Sequence, residues 1–310
     1  MSRGSLKAVI DLGSNTFHLL VASVEHGKIV KEVCRLRRFV ALAEEGGKHI
    51  GTKAFERGLA ALREFVFILK EEGLSVGQVK AIGTAALRTA DNGSEFLDRV
   101  KKETALQVEL IDGDEEARLI AKGVRAAVPF GKSAKLIMDI GGGSVEFIIA
   151  NAERNFWAES FPIGLLVLYH HLKPQDPFSQ QNREALKVYL DEILPPLAKA
   201  LKKYPVDTLV GASGSFDVIE AMKAPKNKEG HYLSLPASDF EQMFQMLLPL
   251  NLEERLQIQG LPQNRARLVV LAFALIDYVL QLSCAESIIV SDYAMKEGVL
   301  LSDAEKSAPH

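Results

Sequence analysis

The sequence predicts an α/β protein made of two similar lobes. Three observations predict it. Strand-like and helix-like stretches alternate along the whole chain. A strand–Asp–turn–strand–strand–helix pattern occurs twice, with Asp11 and Asp139 at matching points. Between the copies, around residues 125–133, Pro129 and Gly131 break the helical pattern and soften the chain. The expected division is therefore 1–126 and 127–310, with the final helix packing back on the first lobe.

In the first copy, residues 7–12 and 17–24 are rich in β-branched and aliphatic side chains, and the polar turn 13–16 separates them. A third strand, 28–37, follows the turn at His26-Gly27. Residues 52–72 predict a helix, because Phe55, Leu59, Leu62, Phe65, Val66 and Leu69 recur at steps of three and four. Strands at 79–84 and 107–111 and helices at 94–103 and 114–128 complete the lobe. The second copy has strands at 135–140, 145–150 and 155–161. Helices at 179–203, strand 208–211 and a helix from about 215 follow. Helices at 237–248, 252–258 and 262–282, strand 287–291, helix 293–301 and a frayed tail from 302 end the chain.

The chain has 310 residues, 47% of them hydrophobic and 25% charged, the balance of a folded soluble protein. A chain this long buries a sizeable core without disulfides. The net charge of −3 excludes a global basic field for nucleic acid or an anionic membrane. A polyanionic ligand would need a local positive patch, and Lys199, Lys202, Lys203, Lys223, Lys226 and Lys228 are candidates, set against the simpler reading of solvated surfaces. Cys34 and Cys284 have no metal-ligand spacing and predict two buried free thiols, which suits a reducing compartment. The N-terminus is no secretory signal, and the apolar run 268–276 is too short to span a bilayer. A cytoplasmic protein with no membrane partner is expected.

Three motifs carry the chemistry. In Asp11-Leu12-Gly13-Ser14-Asn15-Thr16, a tight hairpin exposes backbone N–H groups that cradle phosphate oxygens. Ser14, Asn15 and Thr16 add donors, and Asp11 at the mouth can hold a divalent cation or its waters. In Asp139-Ile140-Gly141-Gly142-Gly143-Ser144-Val145-Glu146, three glycines permit close backbone approach, and Asp139 and Glu146 flank the loop as magnesium ligands or orienting groups. A strand follows these glycines instead of a helix, so this is no dinucleotide fingerprint. In Gly211-Ala212-Ser213-Gly214-Ser215, a strand runs into a small-residue turn at a helix start, which reads equally as an anion site or as close strand–helix packing.

DLGSNTFHLL, GTAALRTADNGSEFL, IDGDEEARLIAKGV, LIMDIGGGSVEFIIA, VGASGS and SDYAMKEGVL occur in this order. In this the chain resembles the exopolyphosphatase / guanosine-pentaphosphate phosphatase (Ppx/GppA) family of the actin-like ATPase superfamily. The resemblance spans about residues 8–301. It implies two actin-like (ribonuclease H-like) lobes with an interlobe active-site cleft, and a Mg²⁺-dependent hydrolase. Terminal phosphate would leave inorganic polyphosphate, or alternatively the 5′ end of guanosine pentaphosphate. It further implies Glu115 as the base activating water, with Glu116 its neighbour about 100° round the helix, and Arg88 as a phosphate-contacting arginine. Asp11, Asp139 and Glu146 would hold the metal. Phosphate would be bound by Gly13, Ser14, Asn15, Thr16, Gly141, Gly142, Gly143, Ser144, Gly211, Ser213 and Gly214. Homodimers are common in the family. Tyr293 and Arg267 depart from its pattern, and the additional helical C-terminal domain of longer members is not in this sequence. A small-molecule kinase of the same superfamily and a catalytically silent polyphosphate or alarmone sensor are the competing readings.

Overall fold

A computed structural model describes residues 5–44, 47–212, 214–223 and 230–306. By contacts the chain divides into two compact units. One comprises the described residues of Met1–Gly123, Gly141–Gly143 and Met295–His310. The other comprises those of Val124–Ile140 and Ser144–Ala294.

The first unit opens with β1 (Ser5–Leu12), β2 (Thr16–Glu25) and β3 (Lys28–Phe39), an antiparallel meander. Positive φ angles at both His26 and Gly27 make the two-residue turn whose twist suits a hairpin. α1 (Thr52–Glu71) buries the predicted stripe, with Phe55, Leu59, Leu62, Phe65, Val66 and Leu69 all facing inward. β4 (Val79–Gly83), α2 (Ala85–Thr89), α3 (Gly93–Thr104), β5 (Val108–Leu110) and α4 (Gly113–Ala127) follow. The sheet order is β3-β2-β1-β4-β5, with β4 parallel to β1 and to β5. In its core Phe96 packs edge-to-face on both Phe17 and Phe55.

In the second unit β6 (Lys135–Ile140), β7 (Val145–Ala150) and β8 (Asn155–Phe161) repeat the meander. Then come α5 (Leu165–Leu172), α6 (Gln180–Ile193), α7 (Pro195–Lys203), β9 (Thr208–Ala212), α8 (Asp217–Lys223), β10 (Tyr232–Pro236), α9 (Ala237–Leu247), α10 (Leu252–Leu256), α11 (Val269–Ser283) and β11 (Ser287–Ser291). The order is β10-β11-β9-β6-β7-β8, with β9 parallel to β6 and β11. Read from β8, it is the first sheet again, with β10 added at the edge. The α/β class and the two actin-like lobes are thus present, each in its own unit. α11 is buried nearly all round, and its Phe273 packs against Phe240 and Phe244 of α9. Among the described residues no helix is long and apolar enough to cross a membrane.

Several local expectations need correction. The helices expected over 179–203 are α6 and α7, parted where Pro195 and Pro196 at the start of α7 cannot continue the hydrogen-bond ladder of α6. The helix over 262–282 starts later, at Val269, after a 3₁₀ turn at Gln263–Arg265. α5 and the edge strand β10 were not anticipated, being eight and five residues long. Cys284 is exposed and Cys34 half-buried; both are free thiols.

α12 (Met295–Lys306) belongs to the first unit, runs five residues past the expected end at 301, and packs on β1 and β2. Gly298 lets it approach α4: a Cβ there would lie 1.9 Å from the Leu119 carbonyl oxygen. Exposed in a helix, Gly298→Ala would stabilise by about 1 kcal/mol; here overpacking reverses the sign, and we expect a loss of about 1–3 kcal/mol. Denaturant unfolding measures it, and a more stable variant would refute the close crossing.

Candidate active site

In the first unit, Asp11 stands opposite His18, one residue pair before the β1–β2 hairpin closes at Leu12 and Phe17. The Gly13 N–H donates to the Thr16 carbonyl, 3.2 Å away. A Cβ on Gly13 would sit 2.9 Å from that same oxygen, so the turn admits no side chain there. Residues 40–43 lie against the turn. Val40 and Ala41 N–H groups donate to the Asn15 carbonyl, and Ala43 N–H to that of Ser14. The tip Gly141–Gly143 is grouped with this unit, and a Cβ on Gly143 would approach Ser14 Oγ to 2.9 Å. Asn15 Oδ1 is buried without a hydrogen-bond partner. An orphaned acceptor of this kind suits a ligand that brings its own donors, such as a hydrated cation.

Asp11 is partly buried. Desolvation pushes its carboxyl up to about 7; the Lys296 ammonium lowers it and the Glu297 carboxylate raises it. Both of these charges lie on α12.

Arg88, on α2, donates to the Ile111 carbonyl, and its Nη1 lies 3.6 Å from Glu116 Oε2. Glu116 is buried at the start of α4, whereas Glu115 faces outward. Arg118 grips the Glu115 carboxylate with Nε at 2.6 Å and Nη2 at 2.7 Å. The Glu115 N–H is capped by Asp112 Oδ1 at 2.8 Å. Two adjacent acids therefore face different partners.

In the second unit, Asp139 and Glu146 are direct cross-strand partners, again one pair before the hairpin closes at Ile140 and Val145. Both are buried. Ser160, their neighbour on β8, donates Oγ to Glu146 Oε1 at 2.7 Å. Like charges directly opposite in a sheet repel, so the pair favours a cation. No group of three or more His, Cys, Asp or Glu forms a ready metal cage among the described residues. The carboxylates present nonetheless fit Mg²⁺, which takes one or two carboxylates and keeps water or substrate oxygens for the rest.

The third motif is spread differently. Gly211 lies inside β9, and the Phe216 ring fills the space where its Cβ would be, 2.0 Å away. Gly214 makes room for the Arg265 guanidinium, and Asp217 places a negative charge in the first turn of α8. Close packing accounts for both glycines. Ser213, Lys226 and Lys228 lie outside the described residues. Lys199, Lys202 and Lys203 are exposed on α7, and Lys223 pairs with Asp239 at 2.7 Å. Of the departures, Tyr293 is buried and stacks on His231, with its hydroxyl 3.0 Å from Nε2; Arg267 is exposed. The residues that sequence reasoning left without a role are Lys296 and Glu297. Their signal was an adjacent charged pair just ahead of the apolar run 299–301.

A model of the Ppx/GppA phosphatase family matches residues 20–307. An exopolyphosphatase from Cytophaga hutchinsonii is 37% identical, with 98% of this chain and 99% of that chain covered and a TM-score of 0.92. A Ppx/GppA family member from Aquifex aeolicus is 27% identical over the same shares, with a TM-score of 0.81.

The Asp11 carboxyl predicts a pH dependence. In metal-free protein the folded state keeps a proton up to about 7 that the unfolded chain loses at its ordinary 3.8. The folded state then binds more protons, so this contribution to stability falls as pH rises from 3.8 to about 7 and is level above. Chemical unfolding in a chelator should show this decline in wild type and lose it in Asp11→Asn; parallel curves would refute it.

Proposed function

We propose a reaction for this chain from one premise: the chain belongs to the Ppx/GppA phosphatase family and is a hydrolase of phosphoanhydrides. The proposed reaction is release of terminal phosphate from inorganic polyphosphate by attack of water. The substrate choice follows the relative at 37% identity, which is described as an exopolyphosphatase. The family is generally dependent on a divalent metal, and Mg²⁺ is the proposed ion.

The observation that carries the reaction is the Arg88–Glu116 pair. A hydrolase of this kind needs a cation on the phosphate oxygens and a carboxylate that takes a proton from water. Arg88 brings a guanidinium, the group best shaped to bind two phosphate oxygens at once. Glu116 Oε2 lies 3.6 Å from it, and in the proposed reaction it accepts the proton of the attacking water. Glu115 was the base implied by the family resemblance, but its two carboxylate oxygens are taken by Arg118 on an exposed face. The geometry favours Glu116, and Glu115 is assigned to the surface of α4.

The turn Gly13-Ser14-Asn15-Thr16 and the glycines Gly141, Gly142 and Gly143 with Ser144 are the proposed phosphate cradles. Asp11 is the carboxylate proposed for metal binding in the first unit, and Asp139 and Glu146 are those proposed in the second. Bound Mg²⁺ would neutralise charge on the phosphate oxygens as the anhydride breaks. The protein groups orient the phosphate and hold the proton at Glu116. Gly211 and Gly214 are left with packing roles.

Phosphate release with Mg²⁺ from long-chain polyphosphate, guanosine pentaphosphate and ATP tests the proposal. Release from polyphosphate above the other two is expected. Preference for the pentaphosphate would replace the substrate assignment, and no release from any would sink the reaction. Glu116→Gln should lower kcat by about 10²–10⁴-fold, the usual contribution of a placed general base. Glu115→Gln should change it by less than about threefold, as an exposed ion pair contributes little. The reverse ranking would return the role to Glu115.

A further inference from the structure

Arg88 sits on α2, a helix of only five residues. A helix this short is marginal on its own, so its neighbours decide where it points. The Ile111 carbonyl holds the tip of the Arg88 side chain. The backbone beneath it is held by residues 47–50. Thr89 Oγ1 donates to the Gly47 carbonyl at 3.2 Å, and the Asp91 N–H to that of Lys48 at 2.9 Å. His49 Nδ1 lies 2.6 Å from Asp91 Oδ1. Asn92 completes the set. Its Oδ1 accepts from the Ile50 N–H and its Nδ2 donates to the Ile50 carbonyl, both at 2.9 Å.

Residues just upstream grip the Asp11 hairpin. Val40, Ala41 and Ala43 bond the carbonyls of Asn15 and Ser14. Arg57 on α1 fastens this stretch, with Nε 2.9 Å from the Val40 carbonyl and Nη2 2.8 Å from Glu44 Oε2. Ala41 has a φ of 53°, a left-handed conformation that a non-glycine residue keeps only where its surroundings fix it. The turn and α2 also meet at one point: a Cβ on Gly143 would approach Ser14 Oγ to 2.9 Å and the Ala85 side chain to 3.5 Å. One stretch of chain is therefore bonded both to the turn that would cradle phosphate and to the helix that bears Arg88.

Ile50 is buried, and its backbone groups need partners in any fold. What ties that need to the arginine is the place of the partner. Asn92 stands at the joint between α2 and α3, and the joint is tight. A Cβ on Gly93 would lie 2.4 Å from the Leu87 carbonyl oxygen, so a shift at Asn92 passes to α2 with little slack.

We propose that Asn92 is a positioning residue for Arg88: by pairing with the Ile50 backbone it fixes α2, and with it the guanidinium, beside the Ser14–Asn15 turn. This rests on the phosphate-binding role given to Arg88 above.

The Arg88 Nε–H resonance of the ¹⁵N-labelled full chain, assigned by its loss in Arg88→Ala, reads the arginine's position without turnover. It is run beside kcat and KM for polyphosphate, well below the unfolding temperature. Asn92→Ala should shift or broaden that resonance and leave arginine signals of the second unit unchanged. It should lower kcat about tenfold, inside the roughly 10²-fold that a misplacement of about 1 Å can cost. KM, to which the hairpin turns also contribute, should change less. Asn92→Asp keeps the acceptor for the Ile50 N–H and loses the donor; it should show a smaller effect on both readouts, and it provides the same comparison if the Ala variant does not fold. In an Arg88→Ala background, Asn92→Ala should lower kcat no further.

An Arg88 resonance that stays in place in a folded Asn92 variant overturns the proposal, because a purely structural pairing with Ile50 would change stability alone. So does a moved resonance with kcat intact, or a loss of kcat that persists in full without Arg88. A wild type that releases no phosphate, but whose Arg88 resonance answers to Asn92, sinks the reaction and leaves the positioning role standing. An active wild type with indifferent Asn92 variants sinks the positioning role alone.

Discussion

Asp11 and Asp139 each stand one residue pair before an antiparallel hairpin closes, and that placement governs much of the rest. A carboxylate at the mouth of a turn is useful only if the turn is tight, so that backbone N–H groups and not side chains line it. Gly13 meets this requirement, since a Cβ there would lie 2.9 Å from the Thr16 carbonyl. The hairpin also has to be held still. β1 and β6 sit at the same place in their sheets, paired with an antiparallel neighbour on one side and a parallel neighbour on the other. Each acid is thereby fixed by two ladders of hydrogen bonds.

Fixing a carboxylate inside a sheet removes water from it, and the two units answer that cost differently. In the first, burial still holds the Asp11 carboxyl up at about 7, and the Lys296 ammonium on α12 offsets only part of that rise. In the second, two acids face each other across β6 and β7, and a serine on β8 donates to one of them. The same hairpin, used twice, thus carries different chemistry: Asp11 opposes a histidine, Asp139 a glutamate. Near-identical topology sets the positions, and the residue across the strand sets the charge.

Much of the fold was legible because its signals are local. The stripe of α1, the turn at His26-Gly27 and the two acid-headed hairpins follow from periodicity and turn chemistry over a few residues. The misses are of another kind. The helix expected from 262 begins only at Val269, after a 3₁₀ turn, while β10 is defined mainly by pairing with β11, 51 to 59 residues away in sequence. The assignment between Glu115 and Glu116 had a signal too. Arg118, three residues beyond Glu115, is at ion-pair spacing, while Leu119 and Ile120 place Glu116 on the inward side. In the third motif the glycines could be read but their reason could not, because Phe216 and Arg265 fill the space only once the loop is folded.

By itself the sequence determined the duplicated α/β architecture, the two acid-headed glycine turns and the family, since these depend on residues adjacent or nearly adjacent in the chain. Only the tertiary structure decided which acid stands beside Arg88 and which charge acts on Asp11. Arg88 and Glu116 are brought together by two separate helices, and α12 carries Lys296 to the strands of the Asp11 hairpin from the other end of the chain. Electrostatic partnership depends on distance and on exclusion of water, and neither is a property of spacing along the sequence.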